Sequence, residues 1–521
     1  MRFCRKFIPF ILVLIFLVSV VSADSYIIQD ERRYIIRNAY EIINDGVKDV
    51  YNLNIKVLVG SHTDSPYQKN LTFSIYPFPD SLSKDEWGNT YAYINIKELK
   101  PGQKIDVIVD REILNGGIFY DKSIYHVKAD YKYFLSNPSN SKYILPGEKI
   151  ESDNPQIKAK ALELAKTGTI VEKAKKIYDF VNLHIKYDTD PNYANKGALS
   201  GFITGRGVCD EYASLFTALC RAAGIPARVV EGYWLEGEVK ESKWTDVSDR
   251  RHAWSEFYLP GAGWIPVEPS FLYTYNGKRV PNEKYFANIG AGDKHLIISY
   301  MSNPIKNDID VQYSYYESDG VDMKLISGEE RIMLLPKDTN ASKKYLTDIE
   351  GNWAQDYIQK LFEADVVLPK EGSMYKPGEY ITRAEFAAYL TKAIGLREID
   401  GRGSYKDVSS KNPYAGYIEA ASRAGLIQGY NGYFYPENNI TRQDAAVIMM
   451  RALRFFGKNI DTGSGYSFTD SSSISHYAVD AVKLMYELNI MSGKPGNIFA
   501  PNDFTTRAEA AKIILAFMGL I

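Results

Sequence analysis

The spacing of apolar residues changes twice along this chain, and each change predicts a different architecture. From Tyr26 to about Lys132, short alternating or β-branched runs (YIIRNAYEIINDG, NLNIKVLVG, NLTFSIYPF, YAYINIKELKPGQKIDVIVD) are separated by Asn, Gly and Pro. That pattern predicts a β-sandwich over 24–145, and it holds no cluster of catalytic spacing. Over 155–185 the period lengthens: Ala161, Leu164 and Ala165, then Ile170, Ala174, Ile177, Tyr178 and Val181 recur at three and four, as in helices. A further helix opens after Gly207 with Tyr212, Leu215, Phe216 and Leu219 on one face, and the strands VVEGYWLEG, HAWSEFYL and GWIPVEPSF follow. Helices followed by a sheet predict an α+β domain over 150–300. Residues 301–345 mix strand-like pieces with the polar stretch KDTNASKK and are expected to be a short β/linker segment.

The last part of the chain repeats itself. YITRAEFAAYL, NITRQDAAVIM and FTTRAEAAKII share one frame, with a proline six residues before each arginine (Pro377/Arg383, Pro436/Arg442, Pro501/Arg507). An aspartate lies 35, 35 and 37 residues before the same arginine: Asp348, Asp407 and Asp470. Three register-locked matches predict an all-α array of units over 346–400, 401–460 and 461–521. Thr382/Glu385 and Thr506/Glu509 have capping-box spacing, and Thr441/Asp444 approximates it. The arginine falls at the first helical position, where the helix dipole disfavours a cation. Such a placement makes sense if each arginine meets an anion that the helix N-terminus also attracts; packing of its stem is the alternative.

Composition adds an address. Arg2, Arg5 and Lys6 precede an apolar run, Phe7–Val21, and Val21-Ser22-Ala23 forms a small-residue cleavage site. These 23 residues read as a signal peptide, and the 15-residue run is short for a membrane span. Export without a stable span after cleavage is therefore expected. Removing three basic residues takes the formal charge from −2 to −5, which argues against a nucleic-acid partner. The 40 tyrosines fit β-rich surfaces and carbohydrate contacts.

Exported chains normally oxidise their cysteines, so a lone thiol at Cys209 stands out. It lies in GRGVCDEYASLFTALCRAAGIPARVVEGY, in the first turn of the predicted helix, where the dipole is expected to lower the thiol pKa. Cys220 is no disulfide partner: eleven helical residues separate the thiols by roughly 16 Å along the axis, whereas bridged Cα atoms lie within about 7 Å. Cys220 is expected in the core. His252 follows Cys209 by 43 residues in RHAWSEFYLPGAGWIPVEPS, which also holds Glu268. A thiol, an imidazole and a carboxylate form an activated nucleophile when they meet. Alternation makes that conditional: an even hairpin loop after Leu259 puts His252 and Glu268 on opposite faces, and an odd loop or bulge puts them together.

These blocks together resemble the transglutaminase-like, papain-related superfamily over about Tyr178–Ser270. The resemblance implies Cys209 as nucleophile, His252 as base and Glu268 as the orienting third residue, where the family usually has aspartate in a D-P-[TS] context. It implies acyl transfer through a thioester, with the Cys209 N–H as one oxyanion donor and no metal or cofactor. Protein or peptidoglycan-peptide hydrolysis is favoured over cross-linking, and an inactive envelope protein on the same scaffold is the alternative. The repeats resemble S-layer homology domains, which implies anchoring to secondary cell-wall polysaccharide through Arg383, Arg442 and Arg507, with Asp348, Asp407, Asp470 and Trp353 lining the grooves. The expected whole is multidomain: an immunoglobulin-like β-sandwich, a catalytic α+β domain and a three-repeat helical unit, secreted and wall-associated.

Overall fold

The computed structural model describes residues 26–521, apart from 62–64, 128–129, 238, 291–292, 302–309, 316–320, 337–345, 400–403, 459 and 461–466. The expected signal peptide and the KDTNASKK stretch lie outside the described residues. Two antiparallel sheets face one another across a common core. One is built on Tyr26–Asn44 and Lys104–Tyr120, with Gln68–Tyr76 alongside; the other runs Val311–Ser314, Val50–Ser61, Asn89–Leu99, Ser81–Lys84. Alternate residues Tyr34, Ile36, Tyr40 and Ile42 of the first strand point inward. Ile42 joins Leu53, Ile55, Val57, Ile94, Val107 and Val109 between the sheets, each such burial being worth about 1.5–3 kcal/mol.

Within the stretch expected as a short β/linker segment over 301–345, the described strands complete these sheets. Met323–Leu334 pairs along Tyr26–Asn44, and Val311–Ser314 pairs along Val50–Ser61. Trp244–Asp246, from within the central region, pairs with Met323–Leu334 in turn. Each covers a strand edge that would otherwise expose unpaired N–H and C=O groups. The sheets therefore draw on strands well beyond 24–145.

The central region sets helices Pro155–Leu164, Ile170–His184, Ala198–Thr204 and Cys209–Ala222 against an antiparallel sheet. Its strand order is Gly263–Val267, Arg251–Leu259, Ala227–Glu236, Asp293–Met301. The helix starting at Cys209 is the innermost: Tyr212, Leu215, Phe216, Leu219 and Cys220 are fully buried. Cys209 and Cys220 are both free thiols.

The C-terminal helices fall two to a repeat, 355–363 and 383–393, 415–423 and 442–455, and 479–487 and 507–518. They pack mainly across repeats: 383–393 on 415–423, 442–455 on 479–487, and 507–518 on 355–363. Their capping segments close a ring of backbone hydrogen bonds. Ile381 N–H donates to the Thr505 carbonyl, Thr505 N–H to Ile440 and Ile440 N–H to Ile381. Thr382/Glu385 and Thr506/Glu509 form full capping boxes, whereas Asp444 is too short to return a bond to the Thr441 N–H. The first repeat also docks on the sandwich. Phe73 N–H donates to the Gly395 carbonyl at 2.7 Å, Arg397 N–H returns to Phe73 O at 2.8 Å, and the Arg397 guanidinium meets Glu112 at 3.2 Å.

Candidate functional site

The hairpin between Arg251–Leu259 and Gly263–Val267 has a three-residue connection, Pro260–Ala262, and pairs Ser255 with Val267 and Leu259 with Gly263. This odd connection puts His252 and Glu268 on one face. His252 Nε2 lies 2.6 Å from Glu268 Oε2, with Glu268 wholly shielded from solvent. The other carboxylate oxygen, Oε1, accepts from the Ser270 N–H at 2.9 Å and the Ser270 hydroxyl at 2.6 Å. The Glu-Pro-Ser turn is pinned in its turn by Asn182, whose Nδ2 donates to the Pro269 and Phe271 carbonyls. Burial acts to raise the Glu268 carboxyl, but the imidazoles of His252 and His295 outweigh it and hold the group well below the usual carboxylate range.

The sheet face carrying His252 also carries Trp254, Trp234 and His295. His252 pairs with Gly232, which pairs in turn with Ile297, and His295 sits opposite Trp234. Gly232 is required there: a Cβ would meet the Leu296 carbonyl at 1.9 Å and the Trp254 ring at 2.8 Å. The His252 ring stacks on Phe271 at 5.4 Å between centroids, so Nδ1 is the nitrogen left for other partners.

Cys209 opens its helix beneath this face. Glu211, two residues on and fully buried, gathers the preceding loop by accepting from the Lys196, Gly197 and Val208 N–H groups. Gly207 makes that possible, since a Cβ there would meet Glu211 Cγ at 2.4 Å. The half-buried Cys209 does not take His252 as its hydrogen-bond partner. Its thiol donates to Asp210 Oδ1 at 3.9 Å and accepts from the N–H of Ala253, the residue next to His252. Burial, then the Asp210 carboxylate, push the thiol up; the Ala253 N–H pulls the other way. The lowering expected from the helix N-terminus is therefore outweighed, first by burial of the thiol and then by Asp210 and Glu211 in the same turn. Asp210 is itself pushed up to about 8 by burial and by Glu231, and Glu231 to about 7, chiefly by burial.

His295 went unnoticed in the sequence. It is buried, with Nε2 3.5 Å from Glu268 Oε2 and its ring edge-on to Trp254 at 5.1 Å. Its only sequence signal is a histidine in the β-branched run DKHLIISY, whose pairing sets His295 opposite Trp234 and bulges farther on, between Ile297 and Ser299. His252, Glu268 and His295 bring ligand atoms within 4.8 Å of one another, close enough to hold a metal ion. The 2.6 Å hydrogen bond describes the same atoms as an imidazole–carboxylate pair.

The repeat residues sit in three equivalent arrangements. Asp348, Asp407 and Asp470 each accept from two consecutive N–H groups of their own repeat, Tyr375/Lys376, Phe434/Tyr435 and Phe499/Ala500. The second residue of each pair has φ of 57–58°, and the aspartate braces that left-handed turn. The arginines bridge repeats. Arg383 donates to the Phe434 and Gln428 carbonyls, and Arg442 to those of Phe499 and Ser492 and to Glu509. Arg507 donates to the Tyr375 and Leu368 carbonyls and to Glu385. Arg442 and Arg507 are buried and Arg383 half-buried. The anion expected at Arg442 and Arg507 is thus a carboxylate of the protein. The helix-start N–H groups expected to attract it instead donate to the neighbouring repeat, as Arg507 N–H does to Glu379 O. Trp353 is 59% exposed, beside Tyr357.

Residues 156–269 match the model of the transglutaminase-like superfamily, and 345–387, 404–446 and 467–511 match the S-layer homology domain. The chain carries a transglutaminase-like domain and three S-layer homology repeats. It is 37% identical over 195 residues to the exoglucanase XynX of Acetivibrio thermocellus, covering 37% of this chain and 18% of that protein. It is 32% identical over 178 residues to an S-layer protein of Bacillus licheniformis, covering 33% and 20%. The chain thus spans about a fifth of the length of these relatives. Among solved structures, a candidate cysteine protease of Cytophaga hutchinsonii is similar at 14% identity and a TM-score of 0.37, over 59% of this chain and 99% of that one. The periplasmic domain of TgpA from Pseudomonas aeruginosa is similar at 18% identity and a TM-score of 0.22, over 44% and 92%. Among the described residues, no helix is long and apolar enough to cross a membrane.

Proposed function

We propose that this chain is a cell-surface cysteine enzyme that cleaves or transfers amide acyl groups and is held at the wall by its three C-terminal repeats. The buried 2.6 Å hydrogen bond between His252 and Glu268, beside a thiol in the first turn of a helix, carries this reading. His252 Nδ1 takes the Cys209 proton as the sulfur attacks the substrate carbonyl. Glu268 stabilises the resulting imidazolium, and the Cys209 N–H stabilises the oxyanion. Collapse of the tetrahedral adduct breaks the C–N bond as His252 protonates the leaving amine, leaving a thioester. Water then gives a carboxylic acid, and a lysine amine gives a cross-link; hydrolysis of protein or peptidoglycan peptides is the favoured outcome. The chemistry needs no cofactor.

The repeats supply binding to an anionic secondary cell-wall polysaccharide, and cell-surface association follows. Trp353 and Arg383 are the strongest polymer contacts of the seven residues expected, because the other two arginines are buried on carboxylates and the three aspartates are taken up by backbone N–H groups, whereas Arg383 is half-buried and meets only carbonyls. Incubating wall material with wild type and Cys209→Ala, then scoring cleaved against cross-linked peptides by mass spectrometry, tests the enzyme. Pulldown with purified sacculi, with and without residues 347–521, tests the anchor.

A second reading, an envelope protein with an inactive transglutaminase-like scaffold, draws on the raised Cys209 thiol and its contact with Asp210 rather than His252. Iodoacetamide at neutral pH separates the two. Fast labelling of Cys209 that slows in His252→Ala supports the enzyme, and labelling at an ordinary thiol's rate supports the scaffold.

A further inference from the structure

Glu268 is one carbon longer than the aspartate usual at its position, and that carbon has a visible use. One carboxylate oxygen is held by both donors of Ser270. The other faces two imidazoles, His252 Nε2 at 2.6 Å and His295 Nε2 at 3.5 Å. The two rings lie 6.0 Å apart, and His295 is fixed against Trp254 on the same sheet face, where Gly232 leaves room between the strands. An aspartate from the same Cα would end about 1.5 Å short and could not keep its Ser270 bonds while reaching both rings.

We propose that His295 is a positioning residue of this site, holding the Glu268 carboxylate for His252 by donating Nε2–H to the same oxygen. The longer glutamate side chain has one more torsion than aspartate, and a second imidazole removes that freedom. Sharing the oxygen also divides its charge between two donors, and removing His295 would leave all of it to His252. A base that must both take and return a proton works best when held this way. The inference rests on the acyl-transfer reading.

Other titratable and charged groups act on the same site. Cys209, Tyr178, Tyr187 and Tyr212 feel the Glu268 charge, Asp210 and Glu211 act on Cys209, Glu231 acts on Asp210, and the cations Arg279 and Arg251 act on Tyr212 and Glu231. None is altered by substitution at 295, so a shift seen there is assignable to the His295–Glu268 contact.

The test is the pH–rate profile of Cys209 alkylation by iodoacetamide in the full chain. Its plateau lies between formation of the thiolate–imidazolium pair and loss of the imidazolium proton. His295→Phe keeps a ring against Trp254 and removes both nitrogens. It is expected to lower the plateau rate about tenfold and to move the alkaline edge to higher pH. His295→Gln, which keeps an N–H donor, is expected to restore both. In Glu268→Asp, where the reach to His295 is gone, His295→Phe is expected to add little. An alkaline edge in His295→Phe that coincides with wild type, or a His295→Gln protein no better than His295→Phe, would overturn the proposal, since a purely structural role predicts those results. If wild-type Cys209 itself reacts as an ordinary thiol and ignores His252→Ala, the acyl-transfer reading and this inference both fall. If it responds to His252→Ala and the edge stays put, only the role of His295 falls.

Discussion

The ring of repeats and the thiol site both bury charge, but they leave it in opposite conditions. In the ring each buried arginine is matched by carbonyls and, for Arg442 and Arg507, by a carboxylate. At the thiol site the charges push one another apart: Glu268 is held down while Asp210, Glu231 and Cys209 are driven up. Matched charge recurring in register closes a structure. Mismatched charge, assembled once from distant segments, is the condition in which protons can move at neutral pH.

The largest effect expected is at the mismatched site. His252→Ala should slow Cys209 alkylation about 10²–10⁴-fold, with some loss of stability because the buried Glu268 loses its 2.6 Å partner; a rate change below threefold would put the two regions in one class. The matched site should show the reverse. Arg507→Ala takes the buried Glu385 from its 2.6 Å partner, leaving it Lys370 at 3.6 Å and its own capping bond. It should destabilise by up to about 3–5 kcal/mol in chemical denaturation, while Cys209 reactivity in the still-folded protein is unaltered. Arg383→Ala, half-exposed and bonded only to carbonyls, should cost about 1 kcal/mol. If Arg383→Ala also releases the protein from sacculi, a ring arginine has a second role.

Two smaller effects depend on pH. Glu268's carboxyl is lower in the folded than in the unfolded chain, so the stability it contributes is present above about 4.3, its unfolded value. That stability is lost as pH falls toward the folded value, and Glu268→Gln should flatten the acid arm of a stability–pH curve. Asp210 has the opposite sign. Its folded value near 8 means stability declines as pH rises from the unfolded value of about 3.9 toward 8. Asp210→Asn should remove that decline and speed Cys209 alkylation a few-fold above pH 8, where the carboxylate would otherwise oppose the thiolate, with little change at pH 6.

Much of this was legible in local pattern. The Cys209 helix, its core thiol Cys220, the repeat frame and two capping boxes are all written within a few residues of one another. So was the condition on the hairpin, since three residues between Leu259 and Gly263 suffice to bring His252 and Glu268 together. What pattern could not supply was non-local. Tyr26–Asn44 finds its second partner about 290 residues away, in Met323–Leu334, and nothing in either strand specifies the other. His295 reaches Glu268 from an outer strand, through the pairing that sets it opposite Trp234. The repeat arginines were visible but not their partners, because backbone carbonyls of a neighbouring repeat leave no trace in side-chain sequence. The thiol's environment was misjudged for a related reason: dipole reasoning counted the helix and omitted the burial of the thiol and the acids in its first turn.

The contact between the repeats and the sandwich, through Phe73, Gly395, Arg397 and Glu112, bears on where the thiol can work. An anchored enzyme on a flexible leash sweeps a volume set by its linker, and neighbouring substrates come to it at a correspondingly diluted local concentration. Here the first repeat is braced against the same β-sheets that carry the thiol domain's outer strands. If the repeats grip the wall, Cys209 is carried at a set height and orientation above it, like a tool on a bracket. Its territory is then a thin shell of wall at one depth, and selectivity among chemically identical amides can come from position alone.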